Sequence, residues 1–257
     1  MKSKISATPW FIRQPNMKGN LRLYCFSYAG GNPMNYLSWQ EGLSASIEMC
    51  AIQLPGRGAR LMESSYCVWS TLIEDLAQAL FELDKNSLPF AFFGHSLGAL
   101  IAFELVRYSK RHRLPMPIHL FVSGCAAPQH RSPSLNLHKK SDDKLIETLT
   151  SYNGTPPEIL ENCELMELVL PAIRSDFALS ENYKYIPDMI LELPITVLAG
   201  KCDSRISPEQ VDGWKKETAD SCRPYWFDGD HFFINPERTN VLNLINLIML
   251  STTVDCY

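Results

Sequence analysis

The sequence predicts an α/β fold in which a mostly parallel, doubly wound sheet carries one helical insertion. Three observations lead to this. Six short apolar runs rich in β-branched and aromatic residues recur along the chain, and helical patterns separate them. The runs are nearly continuous rather than alternating, which suits strands buried on both faces. A stretch from 131 to 190 holds helical patterns and no convincing strand, so it breaks the strand–helix rhythm.

The predicted strands are LRLYCFS (21–27), EMCAIQL (48–54), PFAFFG (89–94), IHLFVSG (118–124), PITVLAG (194–200) and RPYWFDG (223–229). Between them, TLIEDLAQALFEL (71–83) places apolar residues at 72, 73, 76, 80 and 83, one stripe of a helix. LGALIAFELVRYSK (97–110) is apolar nearly all round, as a helix packed on a sheet should be. PEQVDGWKKETA (208–219) follows Ser207 with proline at its first position, a helix start. In the insertion, SDDKLIETLTSY, PPEILEN and ELMELVLPAIRSDFALSENY read as helices, and NGTPP (153–157) as a turn. VLNLINLIML (241–250) is too short for a membrane span and contains two asparagines, so it reads as a packed terminal helix. Residues 1–257 are expected to form one domain, with the insertion as a lid over an active site or as a decoration of the core.

Composition narrows the function. A formal charge of −4 gives no sign of a nucleic-acid binder. The N-terminus has no apolar h-region, and no run reaches the length of a membrane span, so no membrane role is expected. Eight cysteines are scattered without C-x-x-C or zinc spacing. That pattern predicts a reducing cytoplasm, no disulfides and no metal.

Residues 94–98 read Gly-His-Ser-Leu-Gly between the run PFAFF and the helical ALIAFELV. This is the strand–turn–helix setting in which a G-x-S-x-G turn presents its serine, Ser96, as a nucleophile. The glycines give room where strand and helix approach. Serine needs a base, and a strand-to-helix nucleophile of this type is followed in the chain by an acid and then a histidine. Of six histidines, His95 adjoins Ser96 and should pack elsewhere, and His112, His119, His130 and His138 precede any late acid. His231, in FDGDHFFI after the last predicted strand, remains as the base. Asp203, in the loop after PITVLAG, is the expected acid that orients its imidazole. Asp228 and Asp230 lie too close to His231, and Asp176 and Asp188 belong to the insertion. An oxyanion hole requires two backbone N–H donors. Leu97 supplies one, and Tyr28 or Ala29, in the glycine-containing loop SYAGGNPMNY, the other.

At this point the residues resemble a known family. LYCFSYAGGNPMNYLSW, AIQLPGRGARLME, FAFFGHSLGALIAFEL, GTPPEIL, LPAIRSDFALSENY and FDGDHFFI together are similar to type II thioesterases. These are the stand-alone editing hydrolases of non-ribosomal peptide and polyketide synthetases, with the α/β-hydrolase fold. The similarity runs from about residue 20 to 240, and QLPGRG and LPAIRSDF are far more specific than the serine turn. The resemblance implies Ser96 as nucleophile, Asp203 as acid, His231 as base, and Tyr28 and Leu97 as oxyanion donors. It implies that 131–190 is a lid over an acyl and phosphopantetheine channel. It implies a monomer that hydrolyses acyl thioesters held by acyl or peptidyl carrier proteins, with no cofactor beyond the phosphopantetheine on the partner. KRHR (110–113) is a basic cluster that would suit an acidic carrier, or a solvated helix end. Arg57 of PGRG, and Arg174 with Asp176, match family motifs without an assigned role; a structural salt bridge or loop anchor suits each. The family's F-P-Y-A-G-G reads FSYAGG here, with Ser27 in place of proline. The same motif order would serve a chain-terminating medium-chain thioesterase of fatty acid synthesis, a general carboxylesterase, or a non-catalytic carrier-binding module.

Overall fold

Alternation along each strand sends side chains to two cores. In β2 (Leu21–Phe26), Tyr24 and Phe26 join one apolar cluster, while Leu21, Leu23 and Cys25 join the other. In β4 (Phe90–His95), Phe90 and Phe92 face the first, and Ala91 and Phe93 the second. In these central strands neither face is left for water, which is the physical reason their sequences read as continuous apolar runs; the strand of the run RPYWFDG, at the sheet edge, is only partly buried, with Arg223 and Trp226 exposed. The helices α1 (Trp69–Leu83) and α2 (Leu97–His112) cover the first face. The second face is covered by a 3-10 segment at Pro33–Glu41, through Tyr36 and Trp39, and by α7 (Arg238–Thr252).

The computed structural model describes residues 9–13, 19–83, 88–131, 135–152 and 154–252. Seven strands form one sheet: β1 (Phe11–Ile12), β2, β3 (Ile47–Ile52), β4, β5 (His119–Ser123), β6 (Ile195–Gly200) and β7 (Cys222–Phe227). Their spatial order is β1-β3-β2-β4-β5-β6-β7, parallel throughout except for β1 against β3. All six predicted strands are present, shifted by a residue or two. The edge strand β1 was not foreseen, because two residues are too few to show a period.

The insertion contains α3 (Asp142–Tyr152), α4 (Pro157–Leu160) and α5 (Cys163–Asn182). It builds a third, separate apolar cluster from Leu137, Leu145, Leu149, Met166, Leu170 and Ile173. The helix expected over 208–219 is shorter. It ends as α6 (Pro208–Asp212) behind a Ser207–Gln210 capping box, and a 3-10 turn follows over Gly213–Lys216. The reason is tertiary. A Cβ on Gly213 would lie 2.5 Å from His130, and Trp214 is fully buried, donating from Nε1 to the Cys125 carbonyl at 2.9 Å. Among the described residues no helix is long and apolar enough to cross a membrane, and no group of His, Cys, Asp and Glu is arranged to hold a metal. Asn153 of the predicted turn, Cys256 and most of the N-terminal segment lie outside the described residues.

Candidate active site

The serine turn is tight. Ser96 has φ 54° and ψ −115°, a region that non-glycine residues rarely occupy. Its N–H donates to the Ser123 carbonyl at 2.8 Å, which pins the turn to the end of β5. A Cβ on Gly94 would lie 2.2 Å from the Gly98 oxygen, and one on Gly98 would lie 2.1 Å from the Phe26 oxygen. Both glycines are therefore required by close backbone approach.

Two other loops meet this turn. Gly200 closes β6, and a Cβ there would lie 2.3 Å from the Asp230 oxygen. That contact lets the chain after β7 run alongside the chain after β6. Cys202 N–H donates to the Gly229 carbonyl at 2.9 Å, and Lys201 N–H to the Phe227 carbonyl at 2.8 Å. The result is a hydrogen bond of 2.7 Å between His231 Nδ1 and Asp203 Oδ2. Asp203 also accepts from the Arg205 N–H at 3.0 Å. Burial works to raise the Asp203 pKa, but the hydrogen bond and charge of His231, with the help of Arg205, leave it below the ordinary carboxylate value. Asp203 is thus an anion against the imidazole, and the second ring nitrogen of His231 is left for other work.

The remaining candidates are occupied elsewhere. Asp228 pairs with exposed Lys201, Asp230 caps its own turn through the Phe232 N–H, and Asp188 sits by Arg107 and Arg111. His95 is fully buried under the turn, with Nδ1 2.9 Å from Ser123 Oγ. Burial, then the charge of His231, hold its pKa well below the usual imidazole value, so it is neutral packing. His119 bonds Thr196, and burial pushes its pKa down to about 4. His112 stacks on Tyr108, His138 pairs with Glu181, and His130 is exposed.

Tyr28 lies in the loop after β2. Neither its N–H nor that of Leu97, the first residue of α2, has an acceptor among the described residues. The Leu97 N–H is one of the orphan donors of a helix N-terminus, where the dipole favours negative charge. Tyr28, Ser96 and His231 line one pocket of about 690 Å³. Leu137, Leu149, Tyr152 and Phe177 of the insertion line it as well. That volume holds a small-molecule-sized group. The Tyr28 hydroxyl reaches across to the Gly154 carbonyl at 3.0 Å.

The Thioesterase domain family matches residues 21–249. The chain belongs to the thioesterase family. It is therefore a hydrolase acting on thioesters, and the pocket above is where this family's chemistry has its candidate residues. The linear gramicidin dehydrogenase LgrE of Brevibacillus parabrevis is 37% identical, over 98% of this chain and 97% of that one. The crystal structure of ClbQ from the colibactin NRPS/PKS pathway superposes with a TM-score of 0.86 at 32% identity, over 92% of this chain and 99% of that one. The type II thioesterase BorB from the borrelidin biosynthetic cluster gives a TM-score of 0.81 at 30% identity, over 93% and 97% of the two chains.

Sequence reasoning missed some of the pocket wall. Arg205 lies over the Tyr152 ring, 3.6 Å from its centroid, joining the Asp203 loop to the insertion. No sequence signal marks that contact. It also left Asp176 and Arg57 without partners. They pair with each other, while Arg174 turns outward to Asp142 and the carbonyls of His138 and Lys140. A signal existed for Asp176: it shares a stripe of α5 with buried Leu170, Ile173 and Leu179, and a carboxylate there requires a buried cation.

Proposed function

We propose that this protein is a stand-alone type II thioesterase that removes acyl groups from the phosphopantetheine arm of carrier proteins in non-ribosomal peptide or polyketide synthesis. The observation that carries the reading is the 2.7 Å bond from His231 to Asp203 at the wall of a pocket that Ser96 also lines. The likeness to ClbQ and BorB over nearly their whole lengths supports the pathway class. LgrE is named a dehydrogenase, but G-x-G-x-x-G, the dinucleotide fingerprint, occurs nowhere in this sequence.

In this reading His231 takes the Ser96 proton as Oγ attacks the thioester carbonyl. The negative charge that develops on the carbonyl oxygen is met by the N–H groups of Tyr28 and Leu97. The C–S bond breaks, His231 returns the proton to the departing thiol, and the acyl group stays on Ser96. Water, deprotonated by His231, then attacks the acyl-enzyme, and as the acyl–Oγ bond breaks His231 returns that proton to Ser96 and the acid is released. Asp203 holds the imidazole in the tautomer that the cycle needs and stabilises the imidazolium. The partner carries the phosphopantetheine, and this chain supplies the pocket for the acyl group.

The test is hydrolysis of a panel of acyl-carrier proteins of graded acyl length, alongside simple oxygen esters, by wild type and Ser96→Ala. Wild type should favour the carrier thioesters, and the variant should lose on the order of 10⁴–10⁶-fold while remaining folded. A folded variant that keeps most of its activity, or a wild type that prefers oxygen esters, refutes the reading.

A further inference from the structure

The oxyanion loop is gripped from behind. Asp176 of α5 accepts from the Gly30 N–H through Oδ2 at 2.7 Å. The same carboxylate takes a two-pronged bond from Arg57, at 2.9 Å to Oδ2 and 2.8 Å to Oδ1. Arg57 Nη1 also donates to the Gly31 carbonyl at 3.1 Å. Both side chains are nearly inaccessible, Arg57 at 10% and Asp176 at 2%.

Peptide groups are rigid planes, so a loop is set by what holds each plane. Four planes follow the Tyr28 N–H. The Tyr28 carbonyl and the Gly31 N–H bond each other at 2.8 Å, which holds the first and third. Asp176 holds the second through the Gly30 N–H, and Arg57 holds the fourth through the Gly31 carbonyl. Gly30 has φ +75°, so its flanking planes turn easily unless something holds them.

We infer that Arg57 and Asp176 are positioning residues for the thioester reaction, which lock the loop that aims the Tyr28 N–H. This rests on the reading above that Ser96 is acylated and that Tyr28 is an oxyanion donor. The pair touches no reacting atom and acts through Gly30 and Gly31. It also explains how two motifs far apart in sequence, PGRG and RSDF, serve one purpose. The insertion helix α5 completes the geometry of the loop as well as covering the pocket.

A buried ion pair also stabilises, so the test must separate the two roles. Removing one partner leaves a buried charge and destabilises strongly, whereas replacing both with apolar residues of similar size is often neutral. The decisive variant is therefore Arg57→Met with Asp176→Leu. It should melt much closer to wild type than either single variant, since no charge is left buried alone, yet nothing in it grips Gly30 N–H or Gly31 C=O. With an acyl-pantetheine substrate, kcat should fall about 10²-fold, the scale of a misplaced donor, while KM moves by less than about threefold. A trifluoromethyl ketone analogue, which puts an anionic oxygen in the hole, should lose affinity in step with kcat. An unreactive thioether analogue should bind as before.

If kcat recovers together with melting temperature in the double variant, the pair is only structural and the inference is overturned. If that variant does not fold, Asp176→Asn is assayed well below its melting temperature with the same two analogues, and equal loss of both overturns it as well. Mass spectrometry of wild type for acyl-Ser96 keeps the two proposals apart. Without that adduct the underlying reading fails. With the adduct, and with a double variant at full rate, only the role of the pair fails.

Discussion

Gly98→Ala sets two effects against each other. Gly98 is the second residue of α2, and alanine is favoured over glycine within a helix by about 1 kcal/mol. Propensity alone therefore predicts a small gain in stability. The added Cβ would lie 2.1 Å from the Phe26 oxygen, 2.5 Å from its carbon and 2.7 Å from the Ser27 oxygen. These are backbone atoms, so no side chain can rotate away. Ordinary contact begins at 3.4 Å, so helix and strand end must separate by about 1.3 Å. Overpacking of this kind costs roughly 1–3 kcal/mol, which cancels or exceeds the gain. The larger consequence is geometric. Phe26 and Ser27 lead into the loop that presents Tyr28, and Leu97 is the neighbour of Gly98. A displacement near 1 Å between the two N–H groups should cost about 10²-fold in kcat/KM. The assay is hydrolysis of an acyl-pantetheine thioester, with calorimetry on the same samples. A folded Gly98→Ala within threefold of wild type would refute the argument that this close approach aims the donors.

Two further outcomes follow from other contacts. Asp203→Asn should lower kcat by about 10⁴-fold, as loss of the orienting acid does in serine hydrolases. Because the folded pKa of Asp203 is depressed, its stabilisation is complete above the ordinary value of 3.8 and is lost as pH falls through the folded one. Melting temperature against pH should therefore fall less steeply below pH 3.8 in the variant, and identical acid limbs would contradict this. Arg22 and Glu48 face each other across β2 and β3, almost fully buried, with Arg22 Nη2 2.6 Å from Glu48 Oε2. Arg22→Met alone leaves Glu48 only the longer 3.5 Å contact with partly exposed Arg13, so it should cost about 3 kcal/mol, or roughly 6–12 °C in a domain of this size, while Arg22→Met with Glu48→Leu should restore most of it.

Much of the architecture was readable because the central strands β2 to β6 are buried on both sides. The apolar runs at 21–27 or 89–94 have no other stable home, and the period of α1 is plain. The placement of Ser96, Asp203 and His231 at one end of the sheet was readable because each follows a strand, and strand ends in a parallel sheet share one edge. What escaped was whatever depends on contact between distant segments. Nothing local shows that Trp214 would end a helix early, that Arg205 would lie on Tyr152, or that Asp176 would reach Arg57 across 119 positions. Such pairs are fixed by how the insertion settles on the sheet, and a single sequence does not encode that placement in any period or spacing.

The third apolar cluster bears on how this protein can change. Leu137 and Leu149 belong to it and also line the pocket, while Ser96, Asp203 and His231 hang from strands of the main sheet. Substitutions at Leu137 and Leu149 reshape the pocket wall, and their packing debts fall mainly within the insertion, whereas Ile173 of the same cluster lies against Gly30 of the loop below. In the proposed reading, the residues that would select the acyl group and those that would react with it are thus carried largely by separately packed parts. An engineer, or a diverging lineage, can search for new acyl groups by varying that wall, provided that Asp176 keeps its hold on the loop below.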